Sequence, residues 1–88
     1  MRQIEVQYAP IFVKNLKKLP KHIIESAAVK ELIFKANPYE TVLKTHKLQG
    51  RLKNHWSFSV DYNYRILFYF ISNTAVLFIN IGTHRVYK

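Results

Sequence analysis

Three stretches of this 88-residue sequence carry side chains that can act on a charged substrate. The first is one residue. Arg65 stands inside the most apolar run of the chain, Tyr64-Arg65-Ile66-Leu67-Phe68-Tyr69-Phe70-Ile71. A guanidinium fixed on a strand presents forked donors to a phosphate, and a strand holds it more accurately than a loop. An arginine at the first residue of a strand, its stem over apolar neighbours and its head in water, would read the same. The second stretch is Gly82-Thr83-His84-Arg85-Val86-Tyr87-Lys88. His84 can exchange a proton near neutral pH, Arg85 can hold phosphate, and Tyr87 can stack on a base or hydrogen-bond. A frayed basic tail has the same composition.

The third stretch is the connector from Lys44 to His55, with four Lys or Arg, two His and no acid. A charge run is usually solvated surface. With no acids beside it, this one is not salt-bridge decoration, and a polyanion is the natural partner. Lys44, Lys47, Arg51, Lys53 and Arg85 are therefore the candidate RNA-binding cations. His46 is a candidate second acid–base group, whereas His55, next to Trp56, reads as structural. Tyr62, Tyr64 and Tyr69 are either stacking surfaces or ordinary cross-strand packing.

Other chemistries lack their residues. There is no cysteine, which excludes disulfides, zinc–thiolate sites and cysteine nucleophiles. The four His do not have metal-ligand spacing, and no carboxylate cluster joins them, so neither a metal nor a cofactor is expected. No Gly-rich phosphate loop, helix-turn-helix or zinc-finger pattern is present. What remains is metal-free RNA cleavage. RNA brings its own nucleophile, the 2′-OH, and a protein need only align it, take its proton, neutralise the phosphorane and protonate the leaving 5′-oxygen. The charge balance agrees. Fourteen Lys and Arg against five Asp and Glu give +9, a field that attracts polyanions. No apolar run reaches bilayer length, and Met1 to Glu5 is not followed by the apolar segment of a secretory signal, so no membrane partner is expected and a cytoplasmic location fits.

The elements that must position these groups follow from periodicity. Arg2 to Tyr8 alternates and predicts a strand. Pro10 opens a helix that buries Phe12, Leu16 and Leu19 and stops at Pro20. A second helix is expected over about Lys21 to Lys35, its apolar stripe formed by Ile23, Ile24, Ala27, Ala28 and Leu32, with Asn37-Pro38 as stop signal. Tyr39 to Asn54 lacks strand alternation and reads as a connector. Strands are then expected over His55 to Tyr62, Tyr64 to Ile71 and Ala75 to Ile81, joined by short turns. The last two are apolar on both faces and should sit centrally. The expectation is one α+β domain over residues 1–88, β-α-α-β-β-β, with a helical hairpin on a mostly antiparallel four-stranded sheet. Arg65 should share a face with Leu67 and Tyr69. Hydrophobic residues make up 49% and aromatics 15%, enough for an efficient small core.

Leu48-Gln49-Gly50 through Trp56-Ser57-Phe58-Ser59-Val60, then Tyr64-Arg65-Ile66-Leu67-Phe68, then Ile81-Gly82-Thr83-His84-Arg85-Val86-Tyr87 together resemble the RelE superfamily of toxin–antitoxin toxins. His46 to Gly50 and Gly82-Thr83-His84 look most like its YafQ branch; Arg65 combined with His84 is also similar to the YoeB branch. The resemblance implies an endonuclease that cleaves mRNA on the translating ribosome and is neutralised by an acidic antitoxin wrapped around it. It gives Arg65 the phosphate-stabilising role, His84 the C-terminal catalytic histidine, Tyr87 the terminal aromatic and His46 the first histidine of the YafQ pattern. The chain departs from that pattern at Ser59-Val60-Asp61-Tyr62-Asn63, which holds no histidine, and Asp61 stands as a partial substitute. Two other readings share the fold: a ParE-like toxin that poisons DNA gyrase without cutting RNA, and a module that only binds nucleic acid.

Overall fold

The computed structural model describes residues 3–87, so Arg2, the start of the expected first strand, and Lys88 lie outside it. The chain runs β1 (Glu5–Tyr8), α1 (Pro10–Lys17), α2 (Lys21–Ala36), β2 (His46–Lys47), β3 (Trp56–Ser59), β4 (Arg65–Ser72) and β5 (Ala75–Gly82). Short 3₁₀ turns lie at Thr41–Leu43, Gly50–Leu52 and His84–Tyr87. The sheet order is β1-β5-β4-β3-β2, with β1 parallel to β5 and the other pairs antiparallel.

Prolines and cations set the helix limits. Pro10 occupies the start of α1, where its missing N–H costs nothing, and Lys14 and Lys17 lie in its last turn, next to the negative end of the dipole. Pro20 caps α2, and its carbonyl accepts from Ile23 and Ile24 N–H. The helix stops at Asn37, which is extended as a residue before proline must be. Both helices cover one sheet face. Phe34 of α2 has no exposed surface, and its ring centroid lies 4.9, 5.0 and 5.4 Å from those of Phe58, Phe68 and Phe78. Phe12 of α1 packs 5.4 Å from Phe78. These rings, with Ile23, Leu43, Val60, Ile66, Val76 and Ile81, form the core.

Three expectations need correction. The sheet has five strands, not four, because His46–Lys47 inside the connector pairs with Ser57 and Trp56. Two residues with exposed side chains carry no alternation, and backbone hydrogen bonding alone makes them a strand. The buried stripe of α2 is Ile23, Ala27 and Phe34, while Ala28 is exposed and Leu32 is 68% exposed. Leu32 therefore does not join the core. The rotation follows from Phe34, whose large ring takes the centre of the sheet and turns Leu32 outward. Finally, β3 ends at Ser59 and not at Tyr62, because Val60 N–H and Asp61 N–H both turn back to the carbonyl of Tyr64. The doubly apolar β4 and β5 do lie inside the sheet, as expected.

Candidate active site

Strand register gathers the polar residues at one end of the sheet. Arg65, the first residue of β4, stands between Ser59, the last of β3, and Gly82, the last of β5. Alternation sends Phe58, Ile66 and Phe68 to the helices, so Ser57, Ser59, Arg65, Leu67 and Tyr69 point to the opposite face. That is the face expected for Arg65. His46 is paired with Ser57, so it projects on this face as well. With strands about 4.8 Å apart and about 3.4 Å per residue, the His46 and Arg65 backbones are about 12 Å apart, a gap that two long side chains and a phosphodiester can span.

The segment after Gly82 folds back over this face. Tyr87 Oη lies 2.6 Å from Ser57 Oγ, and Ser57 is fully buried. Val86 N–H donates to the carbonyl of Thr83 at 3.0 Å. Val86 also approaches Gly82 so closely that a Cβ there would meet its Cγ1 at 2.9 Å. Glycine is needed here for close approach. The described part of the segment, through Tyr87, is thus docked, not frayed. Docking brings His84 to a cleft of about 610 Å³ whose lining includes Lys30, Lys44, Asp61, Tyr62, Arg65 and His84.

Three cations, Lys30, Lys44 and Arg65, face one carboxylate, Asp61, in the cleft lining. Among the described residues the one ion pair is Lys35 with Glu31, so neither Arg65 nor Lys44 is ion-paired with Asp61, the carboxylate in the lining. Arg65 Nε is buried without a hydrogen-bond partner among the described residues. Such a group gains from an incoming acceptor. Lys44 lines the same cleft from a left-handed backbone with φ 53°. Such a conformation costs a non-glycine residue roughly 1–2 kcal/mol, and outliers of this kind gather at functional sites. Lys30 donates from Nζ to the carbonyl of Val60 at 2.8 Å.

The structure does not treat the candidate residues alike. Arg65, His84, Lys44 and Asp61 share the cleft. His46 is exposed on the edge strand, with Nδ1 3.0 Å from the carbonyl of Lys44. A carbonyl only accepts, so Nδ1 carries the proton and Nε2 is left to take or give one. Asp61 Oδ1 accepts from the N–H groups of Asn63 and Tyr64 at 2.9 and 2.8 Å, so it holds a turn. Lys47 and Lys53 line a separate groove, Arg51 another beside Tyr87, and Arg85 a third that shares His84 with the main cleft. Sequence reasoning missed Lys30 and Ser57. Lys30 had a signal: it falls between Ala27 and Phe34 on the true buried stripe, where a lysine is out of place.

The fold as a whole is similar to those of solved RelE, YafQ and YoeB structures. No family model and no curated protein matches the sequence. Solved structures match over nearly the whole chain. A chain of the E. coli DinJ–YafQ toxin–antitoxin complex matches with TM-score 0.75 and 20% identity, covering 96% of each chain. The toxin–antitoxin complex RelBE2 from Mycobacterium tuberculosis matches with TM-score 0.72 and 24% identity, covering 92% of this chain and 98% of that one. The Staphylococcus aureus YoeB dimer matches with TM-score 0.75 and 14% identity, covering 93% and 98%. At these identities the likeness is one of fold. Among the described residues no helix is long and apolar enough to cross a membrane.

Proposed function

We propose that this chain is the toxin of a toxin–antitoxin pair and that it cleaves mRNA on the ribosome without a metal ion. The observation that carries the reading is the meeting of Arg65 and His84 in a cleft whose arginine and Lys44 have no carboxylate partner among the described residues. RNA supplies the nucleophile. The 2′-oxygen attacks the adjacent phosphorus as its proton leaves to an imidazole. Arg65 and Lys44 balance the charge on the phosphorane. The P–O5′ bond breaks, and a second imidazole protonates the departing 5′-oxygen. His46, through Nε2, and His84 share these two proton transfers. The products are a 2′,3′-cyclic phosphate and a 5′-hydroxyl. Tyr87 works by anchoring the segment that carries His84. Lys47, Arg51, Lys53 and Arg85 hold the flanking backbone. An acidic antitoxin suits a chain with net charge +9, and structural relatives were solved as toxin–antitoxin complexes.

The test is cleavage of ribosome-bound mRNA in EDTA. Wild type should release 2′,3′-cyclic phosphate ends. His84→Ala should cut about 10²–10⁴-fold more slowly. Arg65→Ala should lose about 10²–10³-fold, with Arg65→Lys recovering only part because a point charge does not reproduce the fork. A wild type that cuts nothing but slows gyrase supercoiling would replace this reading with the ParE-like one, which a likeness to a YoeB/ParE toxin from Agrobacterium tumefaciens, at TM-score 0.77, makes concrete.

A further inference from the structure

Tyr62 is 92% exposed, the most solvated of the large hydrophobic side chains described. The other exposed tyrosines are engaged by neighbours. Tyr8 packs on Phe12 and Phe78, Tyr39 on Trp56 and Phe70, and Tyr69 on His55. Among the described residues Tyr62 has no such ring partner. An aromatic ring left wholly in water forgoes its usual burial energy, so its place needs another account.

That place is the rim of the Arg65 cleft, which Tyr62 lines together with Lys30, Lys44 and Arg65. The turn that carries it is held on several sides. Asp61 Oδ1 accepts from Asn63 and Tyr64 N–H, Val60 N–H donates to the Tyr64 carbonyl at 2.8 Å, and Lys30 Nζ donates to the Val60 carbonyl at 2.8 Å. The backbone under Tyr62 is therefore fixed before any ligand arrives, which lowers the entropy cost of stacking on it. A cationic groove that tracks the backbone, with an aromatic ring beside it, is the physical recipe for holding single-stranded nucleic acid.

We infer that Tyr62 is a nucleobase platform: it stacks on one unpaired base of the RNA whose phosphates lie in the Lys44–Arg65 cleft, and so sets which phosphodiester reaches Arg65. The inference rests on reading the cleft as an RNA site and adds a positioning residue to it. Asp61 and Lys30 then have a defined task, holding the platform at a constant height above the phosphate site.

The test uses a short single-stranded oligoadenylate made with 2′-O-methyl ribose, which binds but cannot be cut, and a series in which one abasic residue is moved along it. Binding is measured for wild type, Tyr62→Ala, Tyr62→Phe and Arg65→Ala, with thermal unfolding as the folding control. Wild type should lose about 5- to 150-fold in affinity when the abasic residue reaches one position, the range for removing a single aromatic–base stack. Tyr62→Ala should show that loss on the intact oligonucleotide and no further loss at that position, while Tyr62→Phe should bind like wild type. If Arg65→Ala weakens binding and Tyr62→Ala does not, the platform is wrong and the cleft stands. A Tyr62→Ala loss that is the same at every abasic position also overturns the platform. If wild type binds no oligonucleotide, or Arg65→Ala binds it equally well, the cleft reading falls and the platform with it.

Discussion

A methyl group at Gly82 is the smallest change that moves His84 without touching it. In Gly82→Ala the new Cβ would stand 2.9 Å from Val86 Cγ1, and ordinary contacts begin at 3.4 Å. The pair must separate by about half an ångström or more. Val86 is β-branched and cannot swing a flexible end away. β5 is held by β4 and β1 on its two sides, so the 84–87 segment is the part that yields. Overpacking of this size costs about 1–3 kcal/mol. That is comparable to the worth of the Tyr87–Ser57 hydrogen bond, about 0.5–1.5 kcal/mol, so undocking becomes competitive. A displacement near 1 Å at a reacting group costs about 10²-fold in rate. Gly82→Ala should therefore cleave ribosome-bound mRNA about 10²-fold more slowly while its core still unfolds cooperatively. Val86→Ala in the same chain removes Cγ1 and should restore most of the rate, so the double-mutant cycle gives a large coupling. A Gly82→Ala variant with wild-type rate, or a loss that Val86→Ala does not reverse, would refute the claim that this contact seats His84.

Phe34→Ala removes the ring at the centre of the aromatic core and should cost about 3–5 kcal/mol, read as a lowered urea midpoint with an unchanged slope. Lys44→Gly relieves a left-handed backbone, so stability should hold or rise by up to about 1 kcal/mol while RNA affinity falls and its salt slope flattens; the same variant losing stability would contradict the strain argument. The Tyr8 hydroxyl is pushed up from 10.0 to about 12, first by burial and then by its hydrogen bond to Glu31 and that carboxylate's charge. Its folded value is raised, so its contribution is complete below pH 10 and lost as pH rises through about 12. Wild type should lose stability over that window more steeply than Tyr8→Phe in denaturant titrations.

Legibility in the sequence followed the strength of each physical signal. β4 and β5 were readable because long apolar runs bounded by turn residues have few other uses, and the same alternation placed Arg65 on its correct face. β2 was not, since a two-residue bridge leaves no periodicity. The orientation of α2 is not legible because six apolar residues and three alanines wrap around it, and only the partner surface chooses among them. That choice hid Lys30. Ser57 shows a different limit. Alternation puts it opposite the core, and its burial there depends on a distant segment whose docking no local pattern encodes. The chemical types at Arg65, His84 and Lys44 were visible, whereas their convergence on one cleft depends on register and on docking of the 84–87 segment.

The parallel pairing of β1 with β5 has a consequence for how the chain is made. Glu5 lies against Ala75, 70 residues later, and Tyr8 against Phe78. Synthesis runs from β1 towards β5, so the first strand and both helices emerge with no sheet to receive them. Contacts of such long sequence separation slow folding, because the loop between them must close before they give anything back. Until β5 arrives, Phe12 and Phe34 lack Phe78, and the turn that bears His84 does not exist. A nascent chain stalled or cut before residue 75 would carry most of the positive charge and none of the assembled cleft. The order of translation thus delays assembly of the cleft until β5 and the turn after it have been made.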